Sequence, residues 1–401
     1  MRVAVTKTFL FLLLTLMCSF SSAQANELAL LGQEAAANEC DLDNPPDPQA
    51  HGMLNPQKTY AIIIGLLDWQ SPDLSSFSSE GRQDVEFYSA LLALGVPETN
   101  MVKLIDSEAT LARIRTELTK LASQAPYDST FIFYFTGHGV REKSGTCMTN
   151  YDVNSNDWRN TCFQLSELGQ VLDEKLFAKN VMLFADCCHS GAMISVAKKL
   201  SEAGKNVLSV ASVVRTNAST GNWTFTQTLV GCFRGDAIHD RNNDGTVTVA
   251  ELAREIREVM RARDGQLSAH KLYGYPRSYG LSRTFNSHPA ASAHGFSIRE
   301  YVKTADGNGR VVAINGNEFT VRFLSYNSYD DKKLDKSKIQ KLTFRTRRVG
   351  LRVDVRSGGK EYPGKILRTY YKFHKIRFDN YDKFYDEWVL NDKIVRVKNP
   401  S

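Results

Sequence analysis

Between Tyr60 and Val213, five short apolar runs alternate with stretches whose apolar residues recur every third or fourth position, and this alternation limits the fold more than any other feature. The runs Tyr60–Ile64, Val102–Ile105, Thr130–Phe135, Val181–Ala185 and Val207–Val213 read as strands, and Asp84–Leu94, Leu111–Ser123, Leu165–Leu176 and Ser190–Ala203 read as helices. Strands that are apolar throughout, instead of on every second residue, must be covered on both faces. The pattern therefore predicts an α/β domain over residues 58–275, with a mainly parallel sheet flanked by helices.

The flanks read differently. Residues 1–25 carry Arg2 and Lys7, an apolar run from Thr8 to Met17 and the small-x-small site Ala23-Gln24-Ala25, the pattern of a cleaved export signal. That run is too short to span a bilayer, which takes about 20 apolar residues. The expectation is a secreted or periplasmic protein with no transmembrane segment in its mature chain. Residues 26–57 lack a sustained apolar period and read as a leader, and 276–296 as a linker. Beyond them strand-like alternation returns without helices, and Asn315-Gly316-Asn317 marks a hairpin turn. Two small all-β barrels are predicted, over 297–348 and 349–398. With 26 Gly, 11 Pro and 42% hydrophobic residues, the chain is excluded from the collagen and wholly disordered classes. Its charge is uneven: residues 296–401 hold 24 Lys and Arg against 13 Asp and Glu, while the rest is acidic, with 26 against 31. Of the cysteines, Cys147 and Cys162 flank a polar loop that a bridge would staple, although spacing cannot fix the pairing.

Two turns carry chemistry. Phe135-Thr136-Gly137-His138-Gly139 and Asp186-Cys187-Cys188-His189-Ser190-Gly191 each follow an apolar strand directly. The carboxyl ends of strands in an open α/β sheet face the ligand crevice, so a His and a Cys far apart in sequence can meet there. A cysteine nucleophile needs such a base, and backbone N–H groups of Gly139 and Cys188 are candidates to receive an oxyanion.

These residues resemble the caspase-like cysteine peptidases, and within them the metacaspase group, over about 58–275. A His about 50 residues ahead of the Cys is itself a known caspase spacing. The resemblance implies the caspase fold, Cys188 as nucleophile, His138 as base, a polypeptide substrate and no organic cofactor. Cys187 stands where the family has Ser, which leaves two neighbouring thiols to be told apart. The resemblance also implies an acidic pocket for a substrate Arg or Lys, built at Asp84, Thr136 and Asp186. Arg82 keeps open an Asp-specific alternative, and a catalytically silent scaffold whose basic barrels bind a partner is the other.

Asp240 to Glu251 fits the calcium loop of an EF-hand, with oxygen donors Asp240, Asn242, Asp244, the Thr246 carbonyl and Glu251, and Gly245 at the turn. Ca2+ is thus the candidate metal, and simple turn and cap chemistry is the competing explanation. The tail, with Tyr362-Pro363-Gly364-Lys365-Ile366 and Asp386-Glu387-Trp388-Val389, resembles Tudor-knot or agenet SH3-type modules, in which aromatics (here Tyr362, Phe378, Tyr381 and Tyr385) can form a cage for a methylated ammonium, with packing in the barrel core as the competing explanation. A protein or anionic partner is expected for it. Nucleic acid is disfavoured, because no RNA-binding or groove-reading motif accompanies the charge.

Overall fold

The computed structural model describes residues 52–398 apart from 144, 215–216, 220, 285–291, 325–328, 342–346, 358, 371–372 and 382–385. The export signal, the leader as far as 51, Cys40 and Tyr385 lie outside the described residues.

The elements follow the predicted alternation: β1 (Thr59–Gly65), α1 (Gln83–Leu94), β2 (Met101–Ile105), α2 (Leu111–Gln124), β3 (Thr130–Thr136), β4 (Gly139–Glu142), β5 (Gly145–Met148), β6 (Phe163–Gln164), α3 (Leu165–Lys175), β7 (Asn180–Asp186), α4 (Met193–Glu202), β8 (Asn206–Ala211), α5 (Thr224–Arg234), β9 (Thr246–Thr248), α6 (Val249–Val259) and β10 (Ala269–Tyr273). The central sheet runs β10-β8-β7-β3-β1-β2, with every pair parallel except antiparallel β10 on β8. Successive strand residues point to opposite faces, and here both faces are buried. Phe131, Phe133, Phe135, Leu183 and Ile62 pack with Leu118 of α2, Leu168 of α3 and Met193 of α4. On the other face Tyr134 and Phe184 meet Phe87 of α1 and Phe233 of α5 edge to face or tilted, with ring centres 5.2–6.1 Å apart. Beside the strand tips β4, β5 and β6 form a small sheet, where Cys147 and Cys162 are joined in a disulfide. Among the described residues no helix is long and apolar enough to cross a membrane.

The expected linker is only partly a linker. Within it β11 (Gly280–Arg283) pairs antiparallel with β9, and Gly280 also bridges Met53. A run of Ser, Gly and Leu shows no period of its own, and its strand exists because β9, far back in the chain, offers an edge. The short hairpin β12 (Ser292–Ala293) with β13 (Phe296–Ser297) follows.

Two small five-stranded sheets complete the fold. The first contains β14 (Tyr301–Thr304), β15 (Gly307–Asn315), β16 (Glu318–Leu324), β17 (Tyr329–Asp335) and β18 (Gln340–Lys341) in the order β17-β16-β15-β14-β18. The second contains β19 (Arg352–Ser357), β20 (Lys360–Tyr370), β21 (Phe373–Phe378), β22 (Glu387–Leu390) and β23 (Ile394–Lys398) in the order β22-β21-β20-β19-β23. Both are four-strand meanders whose fifth strand, after a 3-10 turn, returns to the first. Each encloses its own core, Val302, Val311, Phe319 and Val321 in one and Val353, Ile366, Ile376 and Val389 in the other.

A buried charge cluster joins the first small sheet to the α/β domain. Arg310 of β15 grips both carboxylate oxygens of Glu255 on α6 at 2.7 and 3.0 Å, and Arg241 and His239 reach the same carboxylate at 2.6 and 3.2 Å. Burial alone would raise the Glu255 pKa, but Arg310, His239 and Arg241 outweigh it and hold the group well below the usual carboxylate range. Arg310→Met should therefore lower the unfolding free energy in urea by about 3 kcal/mol, because a fully buried anion loses its bidentate partner; a loss near zero would show that the cluster does not hold the two parts together.

Candidate active site

Parallel pairing sets Gly65, Thr136 and Asp186 side by side on β1, β3 and β7, at the carboxyl edge of the sheet. His138 and Cys188 each stand two residues beyond that row. Their turns are in backbone contact: a Cβ at Gly139 would lie 2.0 Å from the Cys188 carbonyl oxygen and 3.2 Å from Cys187 Sγ. Only glycine fits there, and the two candidate oxyanion donors, Gly139 and Cys188, are neighbours.

The loop after β1 clamps the imidazole. Trp69 and Phe77 pack against the His138 ring with centres 4.4 and 4.6 Å away. Trp69 is fixed by its indole N–H on Thr149 Oγ1 at 3.0 Å, and Thr149 donates its N–H and its hydroxyl to the His138 carbonyl at 3.0 and 3.1 Å. His138 Nε2 lies 2.8 Å from the Ser75 carbonyl oxygen. A carbonyl only accepts, so Nε2 carries the proton and Nδ1 is the basic nitrogen. None of Trp69, Ser75 and Phe77 was legible beforehand. The loop has no period, although aromatics directly after a strand end could have marked it.

The two thiols differ in setting. Cys187 is buried at 2% exposure, and burial pushes its pKa well up. Cys188 is half-buried, and its sulfur accepts the Ser219 N–H at 3.2 Å. Burial raises the Cys188 pKa and the Ser219 N–H pulls against it, with burial the stronger. A resting thiol of this kind needs a base to become a nucleophile.

The predicted pocket residues share the same sheet edge with unequal freedom. Asp84, fully buried at the start of α1, holds Arg82 through both oxygens at 2.9 and 2.7 Å. Arg82 also reaches Asp106 at 2.6 Å and the Gly65 carbonyl at 3.3 Å. Burial works against this guanidinium, yet its two carboxylates raise its pKa. Thr136 donates its hydroxyl to the Asp186 carbonyl at 3.1 Å. The Asp186 carboxyl accepts Thr226 Oγ1 at 2.8 Å, and burial pushes its pKa up to about 7 against hydrogen bonds from Thr226 and Ser212, with Asp264 nearby adding to the rise.

The calcium-loop candidates lie apart from these tips, between α5 and α6. Asp240 accepts the Asp244 and Gly245 N–H groups at 3.2 and 2.9 Å, and Asp244 accepts Thr246 N–H at 2.9 Å, so the loop is built of its own donors. Asn242 donates to Asp244 at 2.8 Å. Glu251 accepts Arg241 N–H and Asn242 N–H on one oxygen, and Thr248 N–H and hydroxyl on the other, completing a capping box for α6. Each carboxylate oxygen has two lone pairs, so Asp240 and Asp244 retain capacity for a hard cation, whereas both Glu251 oxygens are filled by these donors and would have to give up cap bonds to join them. Among the described residues no three His, Cys, Asp or Glu side chains cluster as a metal site.

The caspase-domain family matches residues 60–279, and the chain belongs to that family. It is a family of cysteine peptidases, whose substrates are polypeptides. Among solved structures, a Geobacter sulfurreducens protein is similar at 15% identity and TM-score 0.39 over 56% of this chain and 99% of its own. Caspase-1 from Spodoptera frugiperda is similar at 13% identity and TM-score 0.40 over 61% of this chain and 98% of its own. The Arg-specific cysteine proteinase gingipain R is similar at 12% identity and TM-score 0.36, over 81% of this chain and 59% of its own. No curated protein sequence matches the chain.

Proposed function

We propose that the chain is an exported, metacaspase-type cysteine endopeptidase that cleaves after Arg or Lys. The observation that carries this reading is the His138 ring, whose Nε2 proton is committed to the Ser75 carbonyl at 2.8 Å, beside the Cys188 turn. Nδ1 takes the thiol proton, and Cys188 Sγ attacks the scissile carbonyl. The Gly139 and Cys188 N–H groups receive the oxyanion, and His138 returns the proton to the departing amine. Water, activated by the same Nδ1, then releases the acyl group.

The basic P1 preference rests on Asp186. Its carboxyl is close to half-protonated at neutral pH without substrate, and a guanidinium or ammonium beside it favours the charged form. Asp264 adds a second negative charge nearby. Asp84 is already paired with Arg82, so it shapes the pocket while Asp186 reads the cation. The same pairing works against Asp specificity, since Arg82 is engaged by two carboxylates. The Cys147–Cys162 bridge suits an oxidising compartment and supports export. For the second small sheet we propose a Tudor-like module binding a protein or anionic partner; Tyr362, Phe378 and Tyr381 meet edge to face at 6.1–6.4 Å, with Tyr381 exposed. Calcium, where bound, would be held by Asp240, Asn242, Asp244, the Thr246 carbonyl and Glu251.

Cys188→Ala should lower hydrolysis of Arg and Lys amide substrates by at least about a thousandfold, while Cys187→Ala keeps most of it; the reverse ranking overturns the assignment of the nucleophile. The ratio of kcat/KM for an Arg substrate to that for its neutral citrulline counterpart should rise with pH through about 7, as Asp186 ionises, and this rise should vanish in Asp186→Asn. Using the ratio cancels every pH effect common to both substrates. Millimolar Ca2+ should raise the Tm of the full chain and fail to do so in Glu251→Gln; a Tm indifferent to calcium in both chains removes the metal from the proposal.

A further inference from the structure

The loop after β8 touches three parts of the molecule at once. Along one side it is tied to the segment following α6. Val214 N–H donates to the Leu267 carbonyl at 2.8 Å, Gln266 Nε2 to the Ala218 carbonyl at 3.2 Å, and Asn222 Nδ2 to Asp264 Oδ1 at 3.1 Å. Inward it meets the nucleophile turn. The Asn217 carbonyl accepts His189 N–H at 2.9 Å, and Ser219 N–H donates to Cys188 Sγ at 3.2 Å. Outward, the Asn217 carboxamide meets Trp388, donating from Nδ2 to its carbonyl at 2.7 Å and accepting its N–H on Oδ1 at 3.3 Å.

That last contact is specific in form. β22 is an edge strand of the second small sheet, with β21 on its inner side and Lys375 opposite Trp388. An edge strand leaves backbone donors and acceptors without a neighbour. A carboxamide offers one N–H and one C=O in the arrangement of a peptide unit, so the Asn217 side chain stands in for the missing strand at one position. Two residues on, Leu390 seats the contact: a Cβ on Gly265, which has φ +64°, would fall 2.6 Å from Leu390 Cδ1.

The inward contacts bear on chemistry. His189, adjacent to the nucleophile, holds a left-handed backbone at φ 59°, which a side-chain-bearing residue keeps only when its surroundings fix it. Its N–H is fixed by Asn217. The Ser219 N–H aimed at Cys188 Sγ favours thiolate over thiol, and its distance depends on where the loop sits.

We propose that Asn217 is a positioning residue for Cys188, and that the second small sheet, through Trp388 and Leu390, is a working part of the peptidase centre. The proposal deepens the peptidase reading and rests on it. A carboxamide that reads the edge strand on one side and an N–H that meets the sulfur on the other belong to one short loop. Displacing the sheet therefore moves the group that stabilises the nucleophile.

The test uses the full chain carrying Asn217→Ala, Asn217→Asp or Leu390→Ala, with Cys188 alkylation by iodoacetamide followed against pH alongside kcat and KM. In Asn217→Ala the alkylation midpoint should rise by about one pH unit and kcat fall about tenfold, with KM within about twofold. Asn217→Asp keeps the acceptor but loses the donor and should fall between. Leu390→Ala, remote from the dyad, should give the same signature in weaker form, which mere loss of stability would not produce. A wild-type alkylation profile and kcat in Asn217→Ala overturn the positioning role, and a silent Leu390→Ala beside an affected Asn217→Ala overturns the role of the sheet. Wild-type chain that is alkylated at Cys188 yet cleaves no peptide overturns the peptidase reading instead, and the alkylation comparison still decides the loop's part.

Discussion

The in-register pairing of β3 with β7 is the constraint on which the rest of the molecule depends. Opposing Thr136 to Asp186 fixes where each chain leaves the sheet, and hence brings the His138 turn against the Cys188 turn. A slip of one residue would send every side chain of a strand to the opposite face. Here that would exchange the Phe131, Phe133 and Phe135 face for the Tyr134 face, which is packed against quite different helices. The apolar core on both sides of the sheet therefore enforces the geometry of the tips, although no core residue takes part in chemistry.

Burial sets the resting state at those tips. It pushes Cys187, Cys188 and Asp186 upward, towards their neutral forms, and hydrogen bonds from Ser219, Thr226 and Ser212 only partly oppose it. The free protein thus holds a protonated thiol and a carboxyl close to half-protonated at neutral pH. In the proposed reaction the resident His138 draws the proton from the thiol, and a substrate cation draws it from the carboxyl.

Much of this was legible in the sequence, for identifiable reasons. The five parallel strands announce themselves because strands largely covered on both faces carry few polar residues to blur them, Lys103 of edge strand β2 and Ser209 of β8 among them; Tyr60–Ile64 and Val181–Ala185 each fall one residue short at either end. The two chemistry-bearing turns were readable because each abuts such a strand. Asp84 was singled out, but its partner Arg82, two residues away, was read as a possible substrate ligand; their pairing depends on Asp106 and Gly65, which the fold brings in from other segments. Trp69, Ser75, Phe77 and Asn217 stayed hidden for a common reason. Ser75 and Asn217 act partly or wholly through main-chain carbonyls, which residue identity does not encode, and all four lie in loops whose course is set by distant neighbours. β11 was hidden likewise, because an edge on β9 creates it. In the calcium-like loop, residues chosen as ligands also serve as turn and cap, since oxygen side chains that suit a cation equally suit free N–H groups.

Arg82 has one more consequence. Asp84, Asp106 and Asp186 stand near one end of the sheet, and three anions at such a site would push one another apart whenever nothing was bound. A resident guanidinium shared by two of them, and a proton retained on the third below about pH 7, reduce the surplus to a single negative charge. Repulsion among these three carboxylates is thereby relieved by groups of the chain itself.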